Sequence, residues 1–343
     1  MNKFIISHSA TIKDALIALN QISSDAQSLL IIDDEQKMVG TLTDGDIRRG
    51  LISGAELSGK INSIMHTKFK YIHEKEFDVA KIKEFRENRI LFIPVLNQRH
   101  HIVNIINLKK QKSQLPIDAV LMAGGKGERL RPLTDQTPKP LLPVGNKAII
   151  DHNIDRLISF GIKNISVTVN YLKEQIIEHF KEERGNVKVN CVTEPKFLGT
   201  MGSIQFINDF HNDAILVMNS DLFTNINYED FYLHFKENDA DISVVAVPYT
   251  ISIPYGILDL DGRNIKGLLE KPIYNHYANG GIYLIKRKML ECIPKDTFFN
   301  ATDLIETAIA NNRKVIRFPL NGTWIDIGNH QEYNKAKDLI KYL

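Results

Sequence analysis

The chain has 343 residues, long for one domain and in keeping with two. Hydrophobic residues make up 43% and charged residues 24%, an ordinary globular mixture that argues against disorder. The net charge of +2 divides into 17 Lys and Arg against 13 Asp and Glu over residues 1–115, and 26 against 28 over the rest, with no basic run, so nucleic acid is not an expected partner. No apolar run reaches the roughly 18–20 residues of a membrane span, and MNKFIISHSATIKD lacks a signal peptide's apolar stretch and small-residue cleavage site. A cytoplasmic protein with no membrane partner is expected. Cys191 and Cys292 lack CxxC spacing and read as small buried hydrophobes.

In chain order, the first clear feature is a repeat. LLIIDDEQKMVGTLTDGD from Leu29 returns as IPVLNQRHHIVNIINLKK from Ile93, at an offset of 64. Each copy reads as an apolar strand, a polar turn, a second strand and a short charged segment. A helical pattern precedes each: Ile12, Leu16, Leu19 and Ile22 share one face after Thr11, and DVAKIKEFREN from Asp78 repeats the idea more weakly.

This arrangement, with VGTLTDGDIRR at Val39–Arg49 as its motif, resembles an α+β tandem CBS domain over residues 1–113, with repeats of about 1–58 and 59–113. The resemblance implies that Thr43 and Asp46 hold the ribose or phosphate of an adenine nucleotide. The second copy departs from the pattern, with Asn107 and Lys110 at the matching positions. A plainer reading has Thr43 and Asp46 only cap the following helix, in a pair that packs or dimerises. The stretch KKQKSQLPIDAV, with Pro116, marks the join to the next domain.

From Ile117 strands alternate with helices, in the order IDAVLMAGG, IIDHNIDRLISFG, ISVTVNYL, KEQIIEHFKEE and VKVNCVTE, and strands follow at AILVMNSD and DISVVAVPY. That order predicts a parallel sheet with flanking helices and ligands at the carboxyl ends of its strands. The first strand runs into LMAGGKGERLRPLTDQTPKPLLPV, Leu121–Val144. This is neither a dinucleotide fingerprint, which would need glycine at Leu130, nor a P-loop, which would need GK before Ser or Thr. Gly124, Gly125 and Gly127 let bare backbone approach a nucleotide, with amides toward phosphate. Arg129 can fork onto phosphate oxygens, and Lys139, between two prolines, adds a point charge on a stiffened loop.

The pattern GGxGxRLxPLTxxxPKPLLPV resembles the signature of nucleotidyl transferases that make nucleotide sugars. By that resemblance residues 117–343 form a Rossmann-like, GT-A-like α/β domain with a mixed sheet and flanking helices. Leu121, Ala123, Gly124 and Gly125 then line base and ribose, while Arg129 and Lys139 stabilise the triphosphate. Asp221, ending AILVMNSD, and Asp326, in TWIDIGNHQEY, match the family's Mg²⁺-holding positions, with Ser220 where Gly is usual. EPKFLGTMGS from Glu194 resembles the EPxxLGTAGS element, which places Glu194, Gly199 and Thr200 at the nucleotide and leads Met201 to be expected to narrow the pocket. Tyr255-Gly256, Glu270-Lys271-Pro272 and the Asn279 segment resemble elements that bind sugar hydroxyls, so Gly256, Glu270, Lys271 and Asn279 are the sugar-site candidates.

A phosphate nucleophile is already anionic near neutral pH, its second pKa being about 6, so no general base is assigned. The expected chemistry is in-line attack of a sugar 1-phosphate on the α-phosphorus of a nucleoside triphosphate, with charge offset by Mg²⁺, Arg129 and Lys139. A CBS pair ahead of such a domain, with no hexapeptide repeats after it, resembles the glucosamine-1-phosphate guanylyltransferases of bacterial legionaminic acid biosynthesis. That implies GTP and glucosamine 1-phosphate, with Glu194 able to accept guanine's paired N–H donors. Mannose-1-phosphate guanylyltransferase, a glucose-1-phosphate enzyme using UTP or dTTP, and an inactive nucleotide sensor are the alternatives. A homo-oligomer is expected.

Overall fold

The computed structural model describes residues 3–340. The chain divides between Gln114 and Leu115 into two compact units, with Ser159–Gly161 grouped with the first.

The first unit holds two copies of one pattern. β1 (Ile5–Ser7), α1 (Ile12–Ile22), β2 (Ser28–Ile32), β3 (Met38–Thr43) and α2 (Asp44–Ile52) make the first; β4 (Ile72–His73), α3 (Val79–Glu87), β5 (Phe92–Leu96) and β6 (Ile102–Asn107) make the second. In each, the first two strands are parallel and the last two antiparallel. The offset of 64 survives in the register: Ser28 faces Thr43 as Phe92 faces Asn107, and both ladders slip one pair from the end of the middle strand. The turns also match, with Gln36 and His100 both at positive φ. Helix α1 starts where Thr11 and Asp14 cap each other reciprocally, and buries Ile12, Ala15, Leu19 and Ile22.

The two copies end differently. Thr43 caps α2, whereas the chain after β6 only turns. Asn107 accepts from Lys109 N at 3.0 Å and donates its Nδ2 to Asp25 O at 2.7 Å, which holds the chain in a turn and ties the second copy to the first.

The second unit is built on a seven-stranded sheet. β7 (Ile117–Ala123) is followed by the ribbon β8 (Pro143–Val144) and β9 (Lys147–Ala148), then α4 (Ile149–Ser159), β10 (Asn164–Val169), α5 (Lys173–His179), β11 (Val189–Thr193) and β12 (Ala214–Asn219). Next come β13 (Leu222–Thr224), α6 (Tyr228–Glu237), β14 (Ile242–Ser252), β15 (Ile257–Asp261), β16 (Asn264–Leu269) and β17 (Ile273–Lys286). α7 (Ala301–Ala310), β18 (Val315–Pro319), β19 (Trp324–Asp326) and α8 (His330–Leu339) complete it.

The sheet order is β11-β10-β7-β12-β17-β14-β18. Its first four strands are parallel, as the alternation predicts, but β17 runs antiparallel between β12 and β14, so the sheet is mixed. The parallel expectation fails there because β14 and β17 are two sides of one long ribbon, whose return strand must reverse direction. Strand β7 is buried along almost its whole length, as a central parallel strand should be. One core cluster, including Val120, Val217, Ile285 and Leu304, packs α7 on the sheet; another, including Leu142, Ile149, Ile325 and Tyr333, joins α8 to β19.

Candidate functional site

Two chain reversals meet at the carboxyl ends of β7 and β12, where Asn219 pairs with Met122. Ser220 makes the second of them rigid, since its N and Oγ both donate to Met122 O, at 3.2 and 2.8 Å. From behind, Asn153 Nδ2 of α4 donates to Ser220 O at 3.3 Å and Leu222 O at 2.8 Å. Asp221 is therefore held at a fixed turn beside the glycine loop. A hydroxyl at position 220, in place of the glycine usual in the resembled motif, supplies one of those restraints.

The loop itself depends on absent side chains. A Cβ on Gly124 would stand 2.4 Å from Glu194 Oε1, and Gly127 has φ +65° with Lys139 Cβ and Thr134 Cγ2 each 3.0 Å from where a Cβ would go. Thr134 Oγ1 donates to Gly127 O at 2.9 Å and pins the turn. Lys139 follows Pro138 in a single 3₁₀ turn, and its Nζ is ion-paired with Asp221 Oδ2. The two side chains are 12% and 20% exposed.

Asp326 reaches the same place from the far end of the sequence. β13 and β19 pair with Leu222 facing Asp326, and Ile327 N donates to Asp221 O at 3.2 Å. Burial, and then the charge on Asp221, push the Asp326 carboxyl above the usual carboxylate range, against the pull of Lys139 and Arg129. The Arg129 guanidinium lies over Gly328, where a Cβ would stand 3.0 Å from it. Among the described residues, Asp221 Oδ1 is buried with no hydrogen-bond partner.

These groups surround a cavity of about 630 Å³, within the range of small-molecule sites. Ala123, Gly124, Gly125, Gly127, Arg129 and Lys139 line it, with Glu194, Gly199, Thr200 and Asp221. Asp326 is not among the lining residues; its strand pairing with Leu222 sets it next to Asp221. Glu194 is 4% exposed, and its Oε2 accepts from Leu198 N at 3.2 Å; burial pushes its carboxyl up. Thr200 is tied to the start of α7, its N donating to Asn300 Oδ1 at 3.3 Å and its Oγ1 accepting from Ala301 N at 3.0 Å.

Several expected residues fall elsewhere. Leu121 is fully buried within the sheet and does not line the cavity, because only the last residues of β7 reach the opening. Met201 does not narrow the pocket: it is 1% exposed and packs with Ile204 and Val217 in the core. Gly256, Glu270 and Lys271 lie at the base of the β15–β16 hairpin, where a Cβ on Gly256 would be 3.0 Å from Glu270 Oε2. None of the three lines the cavity, since the ribbon that carries them extends past the edge of the main sheet. Asn279 is one step removed: it accepts from Gly281 N at 3.0 Å, and Gly281 abuts Asn219 of the cavity wall.

Other wall residues escaped the sequence reading. Lys126 adds a cation and Asn170 an amide, while Phe197 sits at the opening with its ring 5.8 Å from that of Phe298. Both rings are more than half exposed. An aromatic at an otherwise variable position of the Glu194 element was the only available signal.

In the first unit, a smaller cavity of about 210 Å³ is lined by residues that include Thr43, Arg89, Asn107 and Lys109. Asp46 does not line it. Its Oδ2 accepts from Thr43 N at 2.8 Å and Thr43 Oγ1 at 2.7 Å and so caps α2, while its Oδ1 is ion-paired with Arg49 one turn along the same helix. Burial would raise the Asp46 carboxyl, but those Thr43 bonds and Arg49 together hold it below its usual value.

A nucleotidyl transferase family model matches residues 118–341, and a CBS domain model matches residues 1–53. The chain belongs to the nucleotidyl transferase family and carries an amino-terminal CBS domain. It is similar to the mannose-1-phosphate guanyltransferase of Schizosaccharomyces pombe, 30% identical over 63% of this chain and 62% of that protein. It is similar also to the bifunctional protein GlmU of Methanocaldococcus jannaschii, 32% identical over 66% of this chain and 54% of that protein. The chain thus matches little more than half to three fifths of these relatives' lengths. Among solved structures, HddC from Yersinia pseudotuberculosis complexed with GMP-PN is 26% identical with a TM-score of 0.51, covering 65% of this chain and 99% of that one. Among the described residues, no helix is long and apolar enough to cross a membrane.

Proposed function

We propose that this chain joins GTP to a hexose 1-phosphate, with glucosamine 1-phosphate as the favoured acceptor, giving a GDP-sugar and pyrophosphate. The carrying observation is the convergence of Lys139, Asp221 and Arg129 beside the bare amides of Gly124–Gly127 in one cavity, with Asp326 close enough to feel the charge of all three. Backbone N–H groups and cations so placed suit a triphosphate, and the cavity volume suits a nucleotide with a sugar.

The donor set fits Mg²⁺. Asp221 keeps a buried oxygen without a hydrogen-bond partner, and the Asp326 carboxyl, close enough for the charge on Asp221 to raise it, would supply a second hard oxygen ligand. Among the described residues, no cluster of three or more acidic, His or Cys side chains forms a full cage, which suits an ion completed by phosphate oxygens and water. When bound, Mg²⁺ would neutralise charge on the reacting phosphates. The chain's own residues do the rest: the glycine amides fix the triphosphate, while Lys139 and Arg129 offset charge on the α-phosphate and the leaving pyrophosphate. With an anionic nucleophile, no side chain must remove a proton.

Guanine is favoured because the buried Glu194 presents a carboxylate that can accept two neighbouring N–H groups, and because Phe197, which lines the cavity, offers an exposed ring on which a base can stack. Guanylyltransferases among the relatives support the same base, and mannose 1-phosphate is the alternative acceptor that they suggest. The pairing of a CBS domain with this enzyme favours glucosamine 1-phosphate and a role in legionaminic acid synthesis for surface or flagellar glycans. We infer further that the Thr43 cavity takes an adenine nucleotide, with Arg89 and Lys109 supplying phosphate contacts.

Pyrophosphate release from a panel of triphosphates and sugar 1-phosphates, with Mg²⁺ and with chelator, tests the enzyme. GTP with glucosamine 1-phosphate should be fastest and should need the metal. Release from no pair would leave only a nucleotide sensor. AMP and ATP titrations of the wild type and Lys109→Ala test the first unit, where equal or absent binding in both removes the adenine site.

A further inference from the structure

Helix α4 turns one face to the core, with Ile150, Ile154 and Leu157 buried on it, and Asn153 stands on that same face at 1% exposure. An amide there costs desolvation that a hydrophobic side chain would not, unless its polar atoms are bonded. Asn153 Nδ2 donates twice, to Ser220 O at 3.3 Å and to Leu222 O at 2.8 Å. The residue between those two carbonyls is Asp221.

The rest of the turn is held as firmly. Asp221 O accepts from Ile327 N at 3.2 Å, so three successive carbonyls are bonded. Ser220, 2% exposed, gives its N–H and its hydroxyl to Met122 O, at 3.2 and 2.8 Å. The side chain on this backbone is in the opposite condition. Among the described residues, Asp221 Oδ1 is buried with no hydrogen-bond partner, while Oδ2 pairs with Lys139.

A buried carboxylate oxygen without a donor is costly, and a backbone free to shift would let it turn toward water or another N–H group. Bonds on three successive carbonyls resist that escape. They keep the oxygen at the corner where Asp326 also stands, and a bound cation offsets the cost of holding it there.

We propose that Asn153 and Ser220 are positioning residues for the divalent cation: neither is a ligand, and together they set its affinity by fixing the Asp221 carboxylate. The inference rests on the Mg²⁺ reading given above and extends it to two uncharged residues behind the metal corner. Outer partners that orient metal ligands are worth on the order of 10- to 100-fold in affinity.

Mn²⁺, which prefers the same oxygen ligands and is visible by electron paramagnetic resonance, serves as the probe. Its binding to the full chain is titrated for the wild type, Asn153→Ser, Ser220→Gly and Asp221→Asn, the last defining which binding belongs to this site. GTP binding in chelator is measured alongside, because a change that merely loosened the cavity would weaken it equally. The Asp221-dependent Kd should rise about tenfold or more in Asn153→Ser, with GTP binding in chelator changed less than about twofold. Ser220→Gly, which keeps its N–H bond to Met122 O, should raise that Kd by a smaller factor, at least about threefold. If Asn153→Ser does not fold, Ser220→Gly decides alone. A Kd within about twofold of wild type in the folded variants overturns the positioning role and leaves the metal reading standing. Equal losses of Mn²⁺ and of chelator-resistant GTP binding overturn it as well. Wild-type Mn²⁺ binding that Asp221→Asn does not alter would sink the metal reading itself, and this inference with it.

Discussion

Replacing Lys139 with Met keeps most of the side chain's stem and deletes its charge. The ammonium is 12% exposed and pairs with an Asp221 carboxylate that is 20% exposed, so neither group is well hydrated. On the proposed reaction, loss of one preorganised charge stabiliser should lower kcat by about 10² to 10³, equivalent to roughly 2.7–4 kcal/mol of transition-state stabilisation. Stability should fall as well. Breaking a fully buried pair costs about 3–5 kcal/mol, and the residual exposure here brings that to roughly 2–3 kcal/mol. In the variant, Asp221 would keep both oxygens without a cation, so added Mg²⁺ should restore part of the lost melting temperature and more than it adds to the wild type. Pyrophosphate release gives the rate, and thermal melts with Mg²⁺ or chelator give the stability. A Lys139→Met protein with kcat within about threefold of wild type would refute the charge-stabilising role.

Other perturbations test other parts of the site. Gly124→Ala puts a methyl group against the Glu194 carboxylate, which its bond to Leu198 keeps from retreating; nucleotide KM should rise at least about tenfold and the melting temperature should fall, by the equivalent of roughly 1–3 kcal/mol. Because burial raises the Glu194 carboxyl, its contribution to stability is fully present below the ordinary glutamate value of about 4.3 and is lost as pH rises through the raised value. Glu194→Gln should therefore melt higher than wild type at pH 7, match it near pH 4 and bind GTP more weakly; equal melts at both pH values would contradict that sign. Phe197→Ala should weaken GTP by about 1–3 kcal/mol per stacked base, read as KM, with kcat largely kept. In the first unit, Lys110 and Lys3 lower the Asp25 carboxyl to about 2, so this contribution is present above the ordinary aspartate value of about 3.9 and lost as pH falls through about 2. Lys110→Ala should unfold at higher pH during acid titration, an effect that salt should shrink.

Much of this was legible because the relevant signals are local. The offset of 64 appears in the strand register, the slip and the positive-φ turns, since a repeated strand-turn-strand pattern carries its pairing with it. The glycine loop could be read for the same reason. Gly124 and Gly127 are conformational requirements written in single residues, and Arg129 and Lys139 follow within a few positions. Periodicity could not show that β17 returns antiparallel between β12 and β14, because alternation marks which face is buried and not which way a strand runs. The Gly256 and Glu270 elements likewise read as sugar contacts, yet the arm that carries them reaches past the sheet.

By itself, then, the sequence determined the repeated first unit, the glycine-rich loop and the identity of the charged groups, all properties of short stretches of chain. Only the tertiary structure decided that Asp221 and Asp326 share one corner with Lys139, that Asp46 caps a helix instead of lining a cavity, and that Met201 belongs to the core. The reason is physical: a side chain's role depends on which groups desolvate and pair with it, and those groups come from strands brought together by the sheet from distant parts of the chain.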